Sequence, residues 1–196
     1  MHNDVRVVTV SVDDEGRHTV DISHDGRTAS VRVGAPGAHM AMNACAAVAV
    51  GIVLGVALET AVAAVGNVEL AGQRMQWRTA PSGARILDDT YNANSASMDA
   101  ALRTIAAVDA GERVAVLGAM AEVDDPEAAH RAVAATADAL GIVLLPLETD
   151  LYGAPAMSVD DVAARLAGAG KSTVILVKGS RSSRTERVVG ILAGSP

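Results

Sequence analysis

The sequence predicts an α/β protein in which a parallel sheet flanked by helices follows an antiparallel meander with helices of its own. Residues 84–192 alternate short apolar runs with helical patterns, which is typical of successive βα units and a parallel sheet. Residues 5–33 instead alternate apolar and polar side chains between glycine-containing turns, which is typical of antiparallel strands. An alanine-rich segment that begins at Ala38 separates the two regions and favours a helix.

The first region is predicted to contain three strands and two helices. The strands lie at residues 5–12, 18–22 and 28–33. The segment 34–37, Gly-Ala-Pro-Gly, ends the third strand because glycine and proline interrupt regular structure. A long helix follows from Ala38 to about residue 54 or 58, and a second helix lies at 60–65. Asn43 is one of the few polar side chains of this region that could take part in chemistry.

The second region predicts four strands, each followed by a helix. The strands lie at residues 84–87, 113–117, 142–145 and 173–177. The helices lie at residues 97–108, 127–140, 159–166 and 184–192. The segment 77–83, which contains Pro81-Ser82-Gly83, is the predicted hinge between the two regions, so we divide the sequence into domains at 1–80 and 81–196.

Composition and charge exclude several classes of protein. The 196 residues carry 16 basic and 23 acidic side chains, a net charge of −7, which opposes binding to nucleic acid. Only 2% are aromatic, namely Trp77, Tyr91 and Tyr152, too few for base-stacking platforms. The longest apolar run, 44–58, has 15 residues, fewer than the roughly 20 that a membrane span needs. The single cysteine, Cys45, and a start unlike a secretory signal predict a cytoplasmic protein.

Functional groups concentrate in the segments directly after the predicted parallel strands. In an open parallel sheet these segments meet at a crevice where ligands bind. Asp88 and Asp89 can accept hydrogen bonds from sugar hydroxyls or help to hold a cation. The side-chain amides of Asn92 and Asn94 suit the polar edges of bases or amides. For Asp88, a turn followed by a helix cap explains the same residue equally well.

A second polar cluster follows the last predicted strand. Lys178, Ser180 and Arg181 would bind an anion such as a carboxylate or a phosphate, helped by the N-terminus of the next helix. A solvated loop is an equally good interpretation of these three residues. Tyr91 is harder to explain as surface, because an aromatic side chain in a polar loop is an uncommon choice in a chain with three aromatics.

Five segments of the sequence, taken in order, match the motifs of a known family. The most specific, 88–94, reads Asp-Asp-Thr-Tyr-Asn-Ala-Asn and is similar to the Asp-Asp-(Ser/Thr)-Tyr-Asn-Ala-Asn motif of the Mur ligases that add D-alanyl-D-alanine. The other four segments are 37–47 (Gly-x-His-x-x-x-Asn-x-x-Ala-Ala), 73–75 (Gln-Arg-Met), 117–122 (Leu-Gly-x-Met-x-Glu, with His130 after it) and 177–181 (Val-Lys-Gly-Ser-Arg, with Glu186 after it). The sequence therefore resembles the Mur ligase family over residues 34–190.

The resemblance implies an origin for each region and a set of nucleotide-binding side chains. Residues 1–80 would be the end of a central ATP-binding domain, and residues 81–196 a C-terminal Rossmann-like domain. Asn43 would contact the adenine of ATP, and Arg74 and Asp89 would hold its ribose between the two domains. Three further residues would line the same cleft, namely Tyr91, Asn92 and Asn94.

The resemblance also implies a reaction in peptidoglycan precursor synthesis. In such ligases ATP phosphorylates the carboxylate of UDP-N-acetylmuramoyl-tripeptide, and the amine of D-alanyl-D-alanine then attacks the acyl phosphate. Lys178, Ser180 and Arg181 would face the carboxylate of the incoming dipeptide. Mg²⁺ bridges the phosphates, so positioning and electrostatic stabilisation supply much of the acceleration.

The phosphate loop of the family, Gly-x-x-Gly-Lys-(Thr/Ser), and its central-domain residues associated with Mg²⁺ do not occur in this sequence. We therefore expect ATP and Mg²⁺ to be cofactors of the complete enzyme, and we assign no catalytic residue and no metal ligand to this chain. We also expect no turnover by the chain alone.

Three alternatives stay open. A non-catalytic relative would keep the nucleotide or partner site without the reaction. A dinucleotide-binding oxidoreductase would need Gly-x-Gly-x-x-Gly after its first strand, whereas Gly34 and Gly37 lead from a meander into a helix. Folylpolyglutamate synthase shares the architecture, but the motifs at 88–94 and 178–181 favour the cell-wall ligases.

Overall fold

A three-stranded antiparallel sheet and two helices form the first part of the chain. The computed structural model describes residues 5–69 and 71–194. The strands β1 (Arg6–Val12), β2 (Arg17–His24) and β3 (Arg27–Pro36) pair in the order β1-β2-β3. Asp25 and Gly26 adopt left-handed backbone conformations, with φ of 49° and 75°, and so close a tight hairpin between β2 and β3. The helices are α1 (Ala38–Val53) and α2 (Leu58–Gly66).

The core of this part lies between the sheet and the helices. Its buried members come from β2 and β3 (Val20, Ile22, Val31, Val33), from α1 (Ala41, Ala44, Val48) and from α2 (Leu58, Ala61, Val62). Other apolar side chains stay in water, among them Val7, Val8, Val10 and Val12 of β1 and Met42, Val50 and Val53 of α1. The edge strand β1 is exposed along its whole length, because the helices cover only β2 and β3.

A five-stranded sheet organises the rest of the chain. Its strands are β4 (Gln76–Thr79), β5 (Arg85–Asp89), β6 (Glu112–Leu117), β7 (Val143–Pro146) and β8 (Thr173–Lys178). They pair in the order β4-β5-β8-β6-β7, and all neighbours are parallel except the antiparallel pair of β4 and β5. Every residue of the central strand β8 is buried. Such a strand, apolar on both faces, requires helices on both sides of the sheet.

Four helices supply that cover. They are α3 (Ser95–Ala106), α4 (Pro126–Ala139), α5 (Val159–Leu166) and α6 (Glu186–Ala193). The helices α5 and α6 pack on one face, where Val162 and Val188 meet alternate strand residues such as Ile86 and Ile175. The helices α3 and α4 pack together, and right-handed crossovers place them on the opposite face. None of the helices within residues 5–69 and 71–194 is long and apolar enough to span a membrane.

The predicted fold class is confirmed, with corrections in detail. The hinge predicted at 77–83 is wrong, because β4 and a turn at Pro81-Ser82-Gly83 form a hairpin with β5 instead. The helix predicted from Arg184 begins at Glu186, since a separate turn of 3-10 helix covers Arg181–Ser183 and Arg184 is left-handed. The two compact units divide between residues 70 and 71, ten residues before the predicted division. The origin of each domain stays a prediction.

Candidate functional site

The carboxyl ends of β5, β8 and β6 lie side by side and bring three sequence motifs together. Asp89 is the register partner of Lys178, and Lys178 is in turn paired with Leu117. Residues 88–94, 117–122 and 177–181 therefore meet at one edge of the sheet. This is the edge at which open parallel sheets bind their ligands.

The two adjacent carboxylates Asp88 and Asp89 serve different partners because neighbouring residues of a strand point to opposite faces. Asp88 accepts a hydrogen bond from the Thr90 hydroxyl at 2.8 Å and pairs with the Arg78 guanidinium at 2.9 Å. Asp89 pairs with the Lys178 ammonium at 2.5 Å. Asp88 thus fixes the turn after β5, in agreement with the prediction that it is a turn residue. Asp89 instead joins β5 to β8.

Lys178 is buried, with 2% of its surface exposed, and its ammonium has two acceptors within the protein. Besides the Asp89 carboxylate, Lys178 donates to the backbone carbonyl of Asn92 at 2.8 Å. A buried ammonium is stable only when it is paired and hydrogen-bonded. The two contacts satisfy that condition and fix the loop that follows β5.

The segment 73–75 packs against the same loop in an unusual backbone conformation. Gln73 and Met75 are left-handed, with φ of 65° and 47°, although neither is a glycine. The Met75 amide donates to Asp89 Oδ1 at 3.1 Å, and the Tyr91 amide donates to the Gln73 carbonyl at 3.0 Å. Between them, the Arg74 guanidinium lies 3.8 Å from the centre of the Tyr91 ring. Left-handed conformations of non-glycine residues carry strain, and they cluster at functional sites.

The loops after β6 and β8 touch at two glycines. A Cβ atom on Gly118 would lie 2.6 Å from Thr185 Cγ2 and 2.7 Å from Ser183 Cβ. A Cβ atom on Gly179 would likewise lie 2.6 Å from Thr185 Cγ2. The Ser180 amide donates to the Ala119 carbonyl at 3.0 Å, and Ser180 itself is 2% exposed. Glycine is therefore required at both places for the loops to approach.

A buried histidine and a buried tyrosine hold the loop after β6 through hydrogen bonds to its backbone. His130 Nε2 accepts a hydrogen bond from the Met120 amide at 2.8 Å, so Nδ1 carries the proton and donates to the Pro126 carbonyl. Tyr152 donates to the Gly118 carbonyl at 2.8 Å. Burial raises the pKa of the Tyr152 phenol well above its ordinary value. These contacts confirm hydrogen bonding as the role of His130.

An open cleft of about 880 Å³ lies over this edge of the sheet. Its lining residues are Ala71, Gly72, Gln73, Arg78, Tyr91, Asn92, Glu122 and Arg181. On one wall the Arg181 guanidinium donates to Gln73 Oε1 at 2.8 Å, and on another the Asn92 amide donates to Glu122 Oε2 at 3.4 Å. The cleft therefore offers exposed guanidinium groups beside an exposed aromatic ring.

Asn43 belongs to the other compact unit, at a pocket of about 160 Å³. The other lining residues are apolar and come from β3, α1, α2 and the segment after α2: Val33, Gly34, Ala35, Met40, Ala44, Ala47, Val65 and Val68. One amide among apolar walls suits a flat ligand with a polar edge. The part of Asn43 in a nucleotide site stays a prediction.

Comparison with known proteins assigns the arrangement to a family. A family model described as Mur ligase, glutamate ligase domain, matches residues 73–181, more than half of the chain. The chain belongs to the Mur ligase family. The match contains the segment 73–75, the loops after β5 and β6 and the first three residues after β8, so it covers most of the edge described above.

Relatives of this Mur ligase chain include named ligases of known sequence and MurF proteins of known structure. UDP-N-acetylmuramoyl-tripeptide–D-alanyl-D-alanine ligase of Bacillus subtilis (strain 168) is 30% identical over 100% of this chain and 46% of its own length. MurF from Acinetobacter baumannii is 26% identical with a TM-score of 0.82, over 97% of this chain and 45% of its own. MurF ligase from Thermotoga maritima, solved with ADP, shares the fold at 22% identity and a TM-score of 0.79, over 98% and 46%. The chain thus spans less than half the length of these relatives.

The structure of this Mur ligase chain brings most of the predicted site residues together. Tyr91, Asn92 and Arg181 line the cleft, and Arg74 stacks on Tyr91. Asn94 instead uses its side chain to cap α3, because its Oδ1 accepts the Ser97 amide and the Ser97 hydroxyl accepts the Asn94 amide.

Two cleft residues, Gln73 and Arg78, were missed as site residues from sequence alone. Gln73 was noticed only as part of a motif, and Arg78 lies in the segment predicted as a hinge. The antiparallel pairing of β4 with β5 places Gln76 opposite Asp88, which brings the preceding Gln73 to the carboxyl end of β5. Arg78 reaches the same end through its side chain, which pairs with Asp88.

A metal site does not assemble among the same residues of this Mur ligase. Within residues 5–69 and 71–194, no three His, Cys, Asp or Glu side chains come close enough to hold an ion together. The two aspartates at the end of β5 are occupied by Arg78 and Lys178. The described residues therefore do not fit a resident Mg²⁺ ion.

Proposed function

We propose that this chain contributes part of the active site of an ATP-dependent ligase that joins D-alanyl-D-alanine to UDP-N-acetylmuramoyl-tripeptide in peptidoglycan precursor synthesis. The observation that carries the proposal is the cleft that Tyr91 and Asn92 line together with Arg181. These residues come from two motifs about ninety positions apart along the chain. The name of the Bacillus subtilis relative supports the choice of substrates.

The nucleotide side of the proposed site consists of Arg74, Tyr91, Asn92 and the Asp89 carboxylate. Arg74 on the Tyr91 ring forms a flat cationic surface suited to a phosphorylated nucleoside. Asp89 would accept a ribose hydroxyl with a lone pair left by its bonds to Met75 and Lys178. The ADP bound to the Thermotoga maritima structure supports a nucleotide as the ligand. Asn94 would act on this side through the helix cap, and Asn43 through its own pocket.

The acceptor side of the proposed site is Arg181. Its guanidinium is exposed at the cleft and is held by Gln73, which leaves further donors for a carboxylate. Ser180 is buried, and its hydroxyl is shared with the hydroxyls of Ser182 and Ser183. Ser180 would therefore shape the loop that presents Arg181 rather than bind the dipeptide.

In the proposed reaction these residues bind and orient. The amine of the dipeptide attacks a phosphorylated carboxylate, so the rate depends on holding the two reactants in line and on stabilising charge on the transferred groups. Arg181 would fix the dipeptide by its carboxylate, and Arg74 would hold the ribose of the nucleotide together with Asp89. The family's phosphate loop is not among the 196 residues, so we propose that the chain alone does not turn over. A cytoplasmic location is part of the proposal and is supported by the single cysteine.

The proposal is tested with a fusion that places the unmatched part of the Bacillus subtilis relative ahead of this chain. ATP-dependent ligation by the fusion, with none by the chain alone, is the expected result. Arg181→Ala in the fusion should raise the KM for D-alanyl-D-alanine by about tenfold or more while the KM for ATP stays near that of the parent, because a charge-assisted pair is lost. Arg103→Ala is the matched control, since Arg103 is exposed on α3 and pairs with Asp99.

A non-catalytic nucleotide-binding protein is the second candidate. It would bind ADP in calorimetry, but the fusion would show no ligation. Ligation by the isolated chain would contradict our proposal that the chain alone does not turn over, because the phosphate loop would then be dispensable.

A further inference from the structure

We propose that Lys178 is a positioning residue for the nucleotide side of the site and does not bind the carboxylate of the incoming dipeptide. The inference rests on the proposed function, and it reverses the role that sequence resemblance implies for this residue. It follows from where the ammonium lies, which groups it holds and what those groups hold in turn.

The ammonium of Lys178 has no surface to offer to a dipeptide. The residue is 2% exposed, whereas Arg181, three positions later, is exposed at the cleft. The ammonium makes two internal contacts, to Asp89 Oδ2 at 2.5 Å and to the Asn92 carbonyl at 2.8 Å. To reach a ligand it would have to leave the Asp89 carboxylate buried and unpaired, which is strongly unfavourable.

The contacts of Lys178 lead to the nucleotide-side residues by two short routes. Through Asp89 it fixes the Met75 amide, and Met75 directly follows Arg74 in the strained segment. Through the Asn92 carbonyl it fixes the residue that follows Tyr91. Arg74 and Tyr91 then meet each other at 3.8 Å. One ammonium therefore sets the positions of both partners of the stacked pair.

The choice of lysine over arginine fits this role. Lys171 and Lys178 are the two lysines of a chain whose other basic residues, histidines aside, are all arginines. A compact ammonium with three donors can satisfy two nearby oxygens in a closed space, whereas a planar guanidinium needs more room. Position 178 is therefore a lysine in an arginine-rich chain because a small, buried cation is required there.

The same rarity makes a direct test feasible. The unmodified chain is treated with an amine-acetylating reagent, with and without D-alanyl-D-alanine, and acetylation of each lysine is followed by mass spectrometry. Lys171 is exposed and serves as the internal control. We expect Lys171 to react and Lys178 to resist, with no effect of the dipeptide. Acetylation of Lys178 at the rate of Lys171, with protection by the dipeptide, would overturn the proposal.

Nucleotide binding separates positioning from a purely structural role. ADP binding is measured by calorimetry for the unmodified chain and for Lys178→Met, Lys178→Arg and the control Lys171→Met, each checked for folding by circular dichroism. We expect Lys178→Met to weaken ADP binding by about tenfold or more, Lys178→Arg to recover part of the loss, and Lys171→Met to match the unmodified chain.

In the ligating fusion, Lys178→Arg should raise the KM for ATP and leave the KM for the dipeptide unchanged. A folded Lys178→Met chain with unchanged ADP affinity would refute the positioning role. A fusion that does not ligate would overturn the proposed function together with this inference, whereas rapid acetylation of Lys178 in a chain whose fusion does ligate overturns this inference alone.

Discussion

The three-stranded and five-stranded units of this Mur ligase chain differ in what they bury. Among residues 5–69 the buried side chains are apolar, and the polar pairs, such as Arg32 with Asp13, lie at the surface. Residues 71–194 bury nine polar or charged side chains: Asp88, Asp89, Thr90, Thr104, His130, Thr173, Lys178, Ser180 and Thr185. Most of these nine lie at or near the carboxyl ends of the parallel strands.

The direction of the strands explains the difference. Neighbouring antiparallel strands end at opposite edges of a sheet, so polar residues at their ends stay apart and remain in water. Parallel strands all end at the same edge, so polar residues far apart along the chain meet there. Asp89 and Lys178 are 89 positions apart and still form a buried pair. Burial of whole charged residues is therefore a consequence of topology in the second unit, whereas no charged residue among residues 5–69 is buried as deeply as Asp89 or Lys178.

The largest effect should come from breaking the buried pair. Lys178→Met leaves the Asp89 carboxylate buried without its cation, which should lower the free energy of unfolding of the second unit by about 3–5 kcal/mol. The single tryptophan, Trp77, lies in β4 and reports this unit in denaturant unfolding followed by fluorescence. The exposed pair Arg103 and Asp99 is the control, and Arg103→Ala should cost less than about 0.5 kcal/mol. Equal costs for the two variants would show that burial of the charges has no energetic weight.

The next effect concerns the contact between the loops after β6 and β8. Gly118→Ala should cost about 1–3 kcal/mol, because the added methyl group has no space beside Thr185 and Ser183. Gly168→Ala is the matched control, since no atom lies within 4 Å of its added Cβ position. Thermal unfolding of both variants measures the difference. A Gly118→Ala protein as stable as Gly168→Ala would mean that the loops separate without cost.

The first unit offers a test within one pair of strands. Val10 and Val20 are register partners on β1 and β2, yet Val10 is 55% exposed and Val20 is fully buried. Val20→Thr should cost about 2 kcal/mol because it buries a hydroxyl without a partner. Val10→Thr should change stability by less than about 0.5 kcal/mol. Urea unfolding followed by circular dichroism compares the two, and a comparable loss in both would contradict the exposure of β1.

The smallest effect at neutral pH should come from Tyr152→Phe, which removes the hydrogen bond to the Gly118 carbonyl at a cost of about 1 kcal/mol. Burial raises the pKa of Tyr152 in the folded chain above its ordinary value of 10.0. The contribution of this raised pKa to the free energy of unfolding is therefore complete below pH 10. Above pH 10 the free energy of unfolding falls by about 1.4 kcal/mol per pH unit. Unfolding measured between neutral and strongly alkaline pH should show the stability of the parent falling more steeply above pH 10 than that of Tyr152→Phe, because phenylalanine does not titrate. Parallel profiles for the two proteins would contradict a buried phenol.

Local patterns predicted the parallel strands, their helices and the meander, because each depends on periodicity within a few residues. The helix at Val159–Leu166 was predicted to the residue, since Ser158 and Asp161 form a cap that ends the preceding loop. The strand β4 was missed because Gln76–Thr79 is polar and short and precedes a proline turn. A strand of this kind is recognised by its partner, which local sequence does not reveal.

The site was predicted as a set of residues but not as a set of contacts. The motifs placed Asp89, Tyr91, Asn92 and Arg181 at one edge, where the structure has them. The insertion of β8 between β5 and β6 is a non-local feature, so the pairing of Asp89 with Lys178 could not be read from spacing. The two residues were for that reason assigned to different ligands.

The place of β8 also bears on the time at which this unit is completed during synthesis. β8 is made after the other four strands of this sheet, yet it lies in the middle of the sheet, between β5 and β6. In the folded sheet, β5 and β6 lie two strand spacings apart, about 10 Å, and β8 fills the space between them. Until Thr173–Lys178 leaves the ribosome, β5 and β6 therefore have no strand to pair with in common. The site edge therefore forms only after the first unit and the helices α3, α4 and α5 have been made. A chain that stops before residue 173 would lack the centre of the sheet and would expose the apolar faces that β8 normally covers.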